Sequence, residues 1–451
     1  MTKDMTQGSP FKLILGFALP MLAGMLFQQL YNLVDTMIVG RFLGVNALAG
    51  VGATGSINFL VLGFCMGICA GFAIPVAQRF GAKAEGEMRE YAANGAWLSM
   101  GISVLLTVIT VVFCSDILTL MDTPQECFNE AYHYIIVIFA GIPFIVLYNL
   151  LSGFLRALGD SKTPLFFLVL SSVLNVVLDL VFILNLHLGV MGAALATVIS
   201  QALSGMLCLL LIVRKVPILH ISGREWQMRP DKMLNLCGYG VPMGLQYSVT
   251  AVGSVVLQTA INSLGSTAVA AVTAAGRVMG FFSCPLDGLG STMATYAAQN
   301  VGARRYDRLD RGLYASSAMG IVYSALALAV AWFFGPELMG LFITGEGGAE
   351  LIELGHQFMM INVVFYPLLT LVNTVRFAIQ GMGYSVLAIF SGVMEMIARS
   401  LVGVLLVPAL GYFGAALGNP MAWILADIFL IPAYLLCRRA LISGRPGIRQ
   451  A

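Results

Sequence analysis

Apolar residues run along this chain in blocks longer than a soluble helix needs, and polar breaks cut them into twelve segments. These lie near residues 13–40, 47–78, 93–120, 130–153, 164–186, 190–213, 235–263, 266–298, 312–340, 351–378, 386–408 and 412–437. Each supplies the roughly 20 residues that a helix needs to cross a hydrocarbon core about 30 Å thick. The pattern predicts an all-α membrane protein of twelve transmembrane helices.

The breaks alternate in character. Those after segments 2, 4, 6, 8 and 10 all contain Lys or Arg, as in "QRFGAKAEGEMRE" and "GARRYDRLDR". Those after segments 3, 5, 7, 9 and 11 contain none, as in "CSDILTLMDTPQE" and "FITGEGGAELIELG", and Arg41 alone departs from the alternation. By the positive-inside rule, both termini and the basic breaks are expected in the cytoplasm.

The basic break at 214–234 divides the chain nearly in half, and the halves resemble each other. "AIPVAQRFGAK" at 73–83 aligns with "ATYAAQNVGAR" at 294–304, an offset of 221, and "LGVMGAAL" at 188–195 with "LGYFGAAL" at 410–417, an offset of 222. Two six-helix lobes in the same orientation are the parallel-repeat plan of many secondary transporters, with substrate held between the halves. The expected division is a first lobe over 1–213, a linker over 214–234, a second lobe over 235–437 and a tail over 438–451.

Composition agrees with this plan. The 451 residues are 59% hydrophobic and 10% charged, whereas soluble domains carry about 25% charged residues. A formal net charge of +2 and the lack of a basic run interleaved with aromatics give no sign of nucleic-acid binding. The polar start "MTKDMTQGSPFK" leads into an apolar run too long for a signal peptide and lacking a small-residue cleavage site, so the first helix is expected to stay. The eight Cys show no CxxC or metal spacing and read as buried thiols. A Cys114–Cys127 disulfide in one outer loop is the alternative for that pair. None of the four His is four residues from another or from a Cys, and no nucleophilic Ser motif is present, which argues against an intramembrane enzyme.

Charge inside the spans is where chemistry is expected. A carboxylate at the centre of a membrane helix costs about 2.5 to 3.5 kcal/mol on insertion scales, so such residues face a cavity or a partner. Asp35 lies in "QLYNLVDTMIVG"; Asn175 and Asp179, four apart in "LNVVLDLVF", project from one helix face. With Thr197 they give the first lobe two carboxylates, an amide and a hydroxyl, able to hold Na⁺ or to share protons. A purely structural polar network is the competing reading. Asp35 and Asp179 face Val or Leu and the neighbourhood of Gly403 in the second lobe, so the lobes are unequal. There, Asn373 and Arg376 lie in "NTVRFAIQ", and Glu395 and Arg399, four apart, read as a self-neutralising structural pair, with a gating or substrate role as the alternative. Asp287 and Asp427 read as nearer to helix ends and receive no role. Pro20, fifteen residues before Asp35, removes a helix hydrogen bond and permits a bend.

The stretches "PMLAGMLFQQLYNLVDTMIVGRFLG", "GFLRALGDSKTP", "LNVVLDLVFI" followed by "GVMGAALAT", and "AAQNVGARR" together resemble the multidrug and toxic compound extrusion (MATE) family, and the resemblance covers essentially the whole chain. It is closest to the branch whose type member is DNA-damage-inducible. The resemblance implies a V-shaped twelve-helix bundle, monomeric and without a cofactor, in a bacterial plasma membrane. Such a protein exports small organic, often cationic compounds in exchange for Na⁺ or H⁺. It also implies that Asp35, Asn175, Asp179 and Thr197 form the cation-coupling constellation and that Pro20 is the bending proline. Other branches carry acids in the seventh and tenth helices, where "VPMGLQYSVT" and "LLTLVNTVRF" have none. A lipid-linked oligosaccharide flippase of the same superfamily is the alternative function.

Overall fold

The computed structural model describes residues 2–343 and 348–443, which are helical with short connections and no strand. Residues 444–451 of the expected tail lie outside the described residues. The first half holds α1 (Pro10–Leu43), α2 (Val45–Ala53), α3 (Gly55–Gly81), α4 (Glu85–Val112), α5 (Cys114–Leu120), α6 (Gln125–Ala140), α7 (Ile142–Ala157), α8 (Lys162–Leu180) and α9 (Gly189–Lys215). The second half holds α10 (Pro230–Asn262), α11 (Ser266–Gly302), α12 (Asp307–Gly340), α13 (Gly348–Val364), α14 (Tyr366–Gly381), α15 (Ser385–Leu401), α16 (Val407–Leu410), α17 (Tyr412–Ala416) and α18 (Gly418–Ser443). Among the described residues, ten helical spans are long and apolar enough to cross a membrane, and twelve when the bent pairs α6–α7 and α13–α14 each count as one.

Several expected single helices are broken, for local reasons. The bent pairs turn by 49° and 50°, and Pro143 and Pro367 stand second in α7 and α14. Proline supplies no N–H to the preceding turn and pushes the residue before it away from helical geometry. Segment 2 breaks at Thr54, whose hydroxyl donates to the Val51 carbonyl at 2.7 Å. All eight Cys are free thiols, Cys114 and Cys127 among them, and both are buried.

The repeat is written into the backbone. A π-turn closes α8 over Val181–Asn185, and another closes α15 over Val402–Leu406, 221 residues on. Positive φ falls at Gly44 and Gly265 and at Lys83 and Arg304, both pairs 221 apart, and at Gly189 and Gly411, 222 apart. Pro20 and Pro242, also 222 apart, lie inside α1 and α10. The sites where a chain departs from regular helix are the hardest to conserve by composition alone, so their recurrence is strong support for two copies of one plan.

By contacts the chain forms two compact units. Unit 1 holds Ala23–Gly244 with the extreme N-terminus, and unit 2 holds Met5–Leu22 with the chain from Leu245 onward. The division runs through α1 and α10, two residues after Pro20 and two after Pro242, and leaves the 214–234 linker inside unit 1. The reason is a polar strap on α4. Arg89 pairs with Glu225 at 2.7 Å, and Glu90 pairs with Arg229 at 2.7 Å and with Lys232. Asn94 accepts the Arg229 amide at 2.8 Å and donates to the Gln227 carbonyl at 3.3 Å, and the Trp97 indole donates to the Trp226 carbonyl at 3.1 Å. Burial works to raise the Glu225 carboxyl, but the Ser222 amide and Arg89 outweigh it and hold it below the ordinary glutamate range.

Small residues set the helix spacing in unit 1. A Cβ on Gly71 would lie 2.5 Å from the Gly240 Cα, and one on Gly67 2.6 Å from the Met243 carbonyl oxygen. Here α3 and α10 touch backbone to backbone, a contact that favours packing in lipid because no hydrophobic drive exists there. In unit 2 the N-terminal tail is pinned. The Met5 amide donates to the Gln299 side chain at 2.8 Å, and the Arg308 guanidinium donates to the Gly8 carbonyl at 2.9 Å.

Candidate functional site

Unit 1 brings together the four residues expected to act together. Asn175 and Asp179 sit one turn apart on α8, immediately before the π-turn, and are 1% and 0% exposed. The Asn175 amide donates to the Thr197 hydroxyl on α9 at 3.3 Å. Asp35 arrives from α1, and its carboxyl lies against that of Asp179. Two carboxyl groups this close cannot both stay charged at low cost, and a shared proton or a small cation between their oxygens relieves the repulsion. The second carboxyl oxygen of Asp35, Oδ1, is buried without a hydrogen-bond partner among the described residues. The set therefore combines two acids in contact, a donor oriented on a hydroxyl, and an acceptor position not yet filled by protein. Those are the requirements for a site that takes up and releases a monovalent cation or a proton. A π-turn beside such a group is a recurrent device, because the extra residue shifts a helix face locally.

Two tyrosines complete this cluster, and neither is among the residues singled out above from the sequence pattern. The Tyr31 hydroxyl, on α1 one turn before Asp35, hydrogen-bonds Thr197. Tyr134 on α6, 7% exposed, lies close to Asp35, Asp179 and Tyr31. The spacing of Tyr31 from Asp35 was a usable signal, since residues four apart share a helix face; nothing local marks Tyr134.

Pro20 lies inside α1, which continues unbroken from Pro10 to Leu43. It belongs to the segment that packs with unit 2, whereas Asp35 belongs to unit 1. The helix that carries Asp35 is thus divided between the two units, and the proline stands next to the point where its packing changes.

Unit 2 holds a second polar cluster with different chemistry. Asp287 on α11 accepts from Asn373 on α14 at 2.9 Å, and Asn373 accepts from Arg376 at 2.8 Å. Arg376 pairs with Glu395 on α15 at 2.9 Å, and Glu395 pairs with Arg399 at 3.2 Å. Arg399 reaches Asn419 on α18 at 3.4 Å, and Asn419 donates to Asn362 on α13 at 3.2 Å. The expected Glu395–Arg399 pair is present but is not self-contained, because Glu395 is shared with Arg376. That bridge joins two helices and has no signature along the sequence. The placing of Asp287 and Asp427 near helix ends is corrected. Asp287 lies deep inside α11 and Asp427 inside α18, where it is 5% exposed with both carboxyl oxygens lacking a hydrogen-bond partner among the described residues.

The MatE family model matches residues 20–181 and 242–406, once per repeat and over most of the chain. The chain belongs to the MATE family. It is 30% identical over 359 residues to "Probable multidrug resistance protein YoeA" of Bacillus subtilis, covering 78% of this chain and 77% of the relative. It is 28% identical over 420 residues to "Probable multidrug resistance protein YpnP" of the same organism, covering 92% and 91%. A crystal structure of MATE in complex with MaL6 superposes with a TM-score of 0.91 at 24% identity, covering 98% of this chain and 100% of that one. The fold is therefore that of MATE transporters, and this MATE protein is a multi-pass membrane transporter rather than an enzyme.

Proposed function

We propose that this MATE protein exports small organic compounds, cationic or amphipathic, across the plasma membrane in exchange for H⁺ or Na⁺. The observation that carries the reading is the contact between the Asp35 and Asp179 carboxyls, buttressed by Asn175, Thr197 and Tyr31. Two acids in low dielectric cannot both stay charged at low cost, so the pair takes a proton or a cation and must release it elsewhere in the cycle. An exchange cycle needs exactly such a site, provided its affinity differs between the two orientations of the carrier. The sharing of α1 between the two units supplies a mechanical route: a change of charge at Asp35 bears on a helix whose first turns pack with the other unit. The names of the relatives support multidrug export over flipping of lipid-linked sugars. The proposed carrier works as a monomer, with both termini in the cytoplasm and no cofactor; the coupling ion is its only inorganic cargo.

The reading is tested by loading proteoliposomes with a cationic dye and imposing a H⁺ or Na⁺ gradient. Dye movement that follows one gradient and stops when it is dissipated is the expected result. Dye movement indifferent to both gradients overturns cation coupling.

A further inference from the structure

We propose that unit 1 carries a binding site for one anionic phospholipid in a groove between α4, α7, α9 and the linker. The groove has a volume of about 790 Å³, within the roughly 300–1,000 Å³ typical of small-molecule sites. Its wall is apolar, built from residues such as Trp97, Met100, Phe144, Leu209, Val213 and Trp226. Met100, Phe144, Leu209, Val213 and Trp226 are themselves exposed, so the groove opens on the outside of the unit. In a membrane-spanning unit, that side meets lipid.

The rim decides which lipid. Arg214 and Lys215 follow the lining residue Val213 at the end of α9, and Arg224 stands between the lining residues Ile221 and Trp226. All three are exposed, and none makes an ion pair among the described residues. Their neighbours differ: Arg89, Arg229 and Lys232 are all satisfied by Glu90 or Glu225. Glu90 and Glu225 are thus spent on strapping the linker to α4, and three unpaired cations stand next in the chain to residues that line an apolar groove. Helix-dipole compensation accounts for Arg214 and Lys215 at the end of α9, but not for Arg224.

Two further features fit an amphiphile lying across a membrane interface. Trp97 and Trp226 pack edge to face, with ring centroids 6.1 Å apart, and such indoles sit at headgroup level in membrane proteins. The His220 ring lines the groove and hydrogen-bonds the Val213 carbonyl at 2.5 Å, tying the linker to the end of α9. An acyl chain would fill the apolar wall, and a phosphate would sit on Arg214, Lys215 and Arg224, gaining charge-assisted hydrogen bonds. A cationic export substrate is the wrong match for that rim. Bound this way, the lipid ties the linker to α9 on one side while the strap ties it to α4 on the other.

The test uses the full-length protein in nanodiscs of phosphatidylcholine alone or with phosphatidylglycerol, together with native mass spectrometry of the protein in neutral detergent. One tightly held phosphatidylglycerol and a higher melting temperature in its presence are expected. In the triple variant Arg214→Gln, Lys215→Gln, Arg224→Gln, the apparent affinity should fall at least tenfold while melting in phosphatidylcholine alone stays unchanged. Leu209→Trp, which fills the groove and keeps the rim, should also lose the bound lipid. Equal retention of both lipids, unaltered selectivity in the triple variant, or binding of glycerol phosphate as tight as that of the whole lipid would each overturn the proposal.

Discussion

Glu395 is the residue whose charge the second unit can least do without. At 3% exposed it is the common acceptor for Arg376 and Arg399, at 2.9 and 3.2 Å. In Glu395→Gln both guanidiniums lose the carboxylate that pairs with them directly; Arg376 retains its bond to the Asn373 oxygen and the nearby Asp287 and Asp427 carboxyls, and Arg399 retains Asn419. Removing one partner of a buried pair costs about 3 to 5 kcal/mol, a change of roughly two to nearly four powers of ten in an equilibrium constant. Arg399→Gln should be milder, about 1.5 to 3 kcal/mol, because Glu395 stays paired with Arg376 and only one charged hydrogen bond goes. The double variant of Glu395 and Arg399 should remain destabilised, since Arg376 has still lost its direct ion-pair partner. Neutralising Arg376 as well should recover most of the loss, as replacing a whole buried charge set usually does. Unfolding titrated with sodium dodecyl sulfate in mixed micelles reads these differences. If Arg399→Gln costs as much as Glu395→Gln, or the triple neutral variant is no more stable than Glu395→Gln, the shared bridge is not what holds these helices.

Asp427→Asn should leave folded yield and transport close to wild type, because the carboxyl makes no hydrogen bond among the described residues; a clear loss of transport from folded protein would give the second unit a part in coupling. The linker strap should loosen in acid. Glu225 is held below its ordinary value when strapped, so its own contribution to the strap is complete above the unfolded value of about 4.3 and is lost as pH falls through the lower folded value. Hydrogen-exchange protection of residues 222–229 should drop between pH 7 and pH 3, and equal protection at both would refute it. The orientation is tested by a Cys at Lys215, which an impermeant thiol reagent should reach only after the cells are opened; labelling on intact cells would reverse the topology.

Much of this architecture is legible because the membrane imposes simple rules. Twelve apolar segments and an offset of 221 are enough to expect two like lobes, and the π-turns at 181–185 and 402–406 obey the same offset. The Asn175 and Asp179 pair is readable because spacing by four is a local property of a helix. The Arg376–Glu395 bridge, the depth of Asp427 and the approach of Tyr134 to Asp35 depend on which helices pack together, and periodicity carries no record of that. The linker reads as a boundary by charge, yet its charges bind it to α4, so composition marks where a loop lies without saying what it holds.

The proposed coupling role of Asp35 and Asp179 is tested most directly by gradient-driven efflux from proteoliposomes holding equal amounts of folded wild-type, Asp35→Asn or Asp179→Asn protein. Asparagine keeps the shape and removes the ionisable group, so both variants should fall to the rate seen without a gradient, while Asn175→Ala and Thr197→Ala, each losing one neutral ligand, should only slow. Wild-type efflux from well-folded Asp35→Asn protein would contradict the account and leave the carboxyl pair a structural contact.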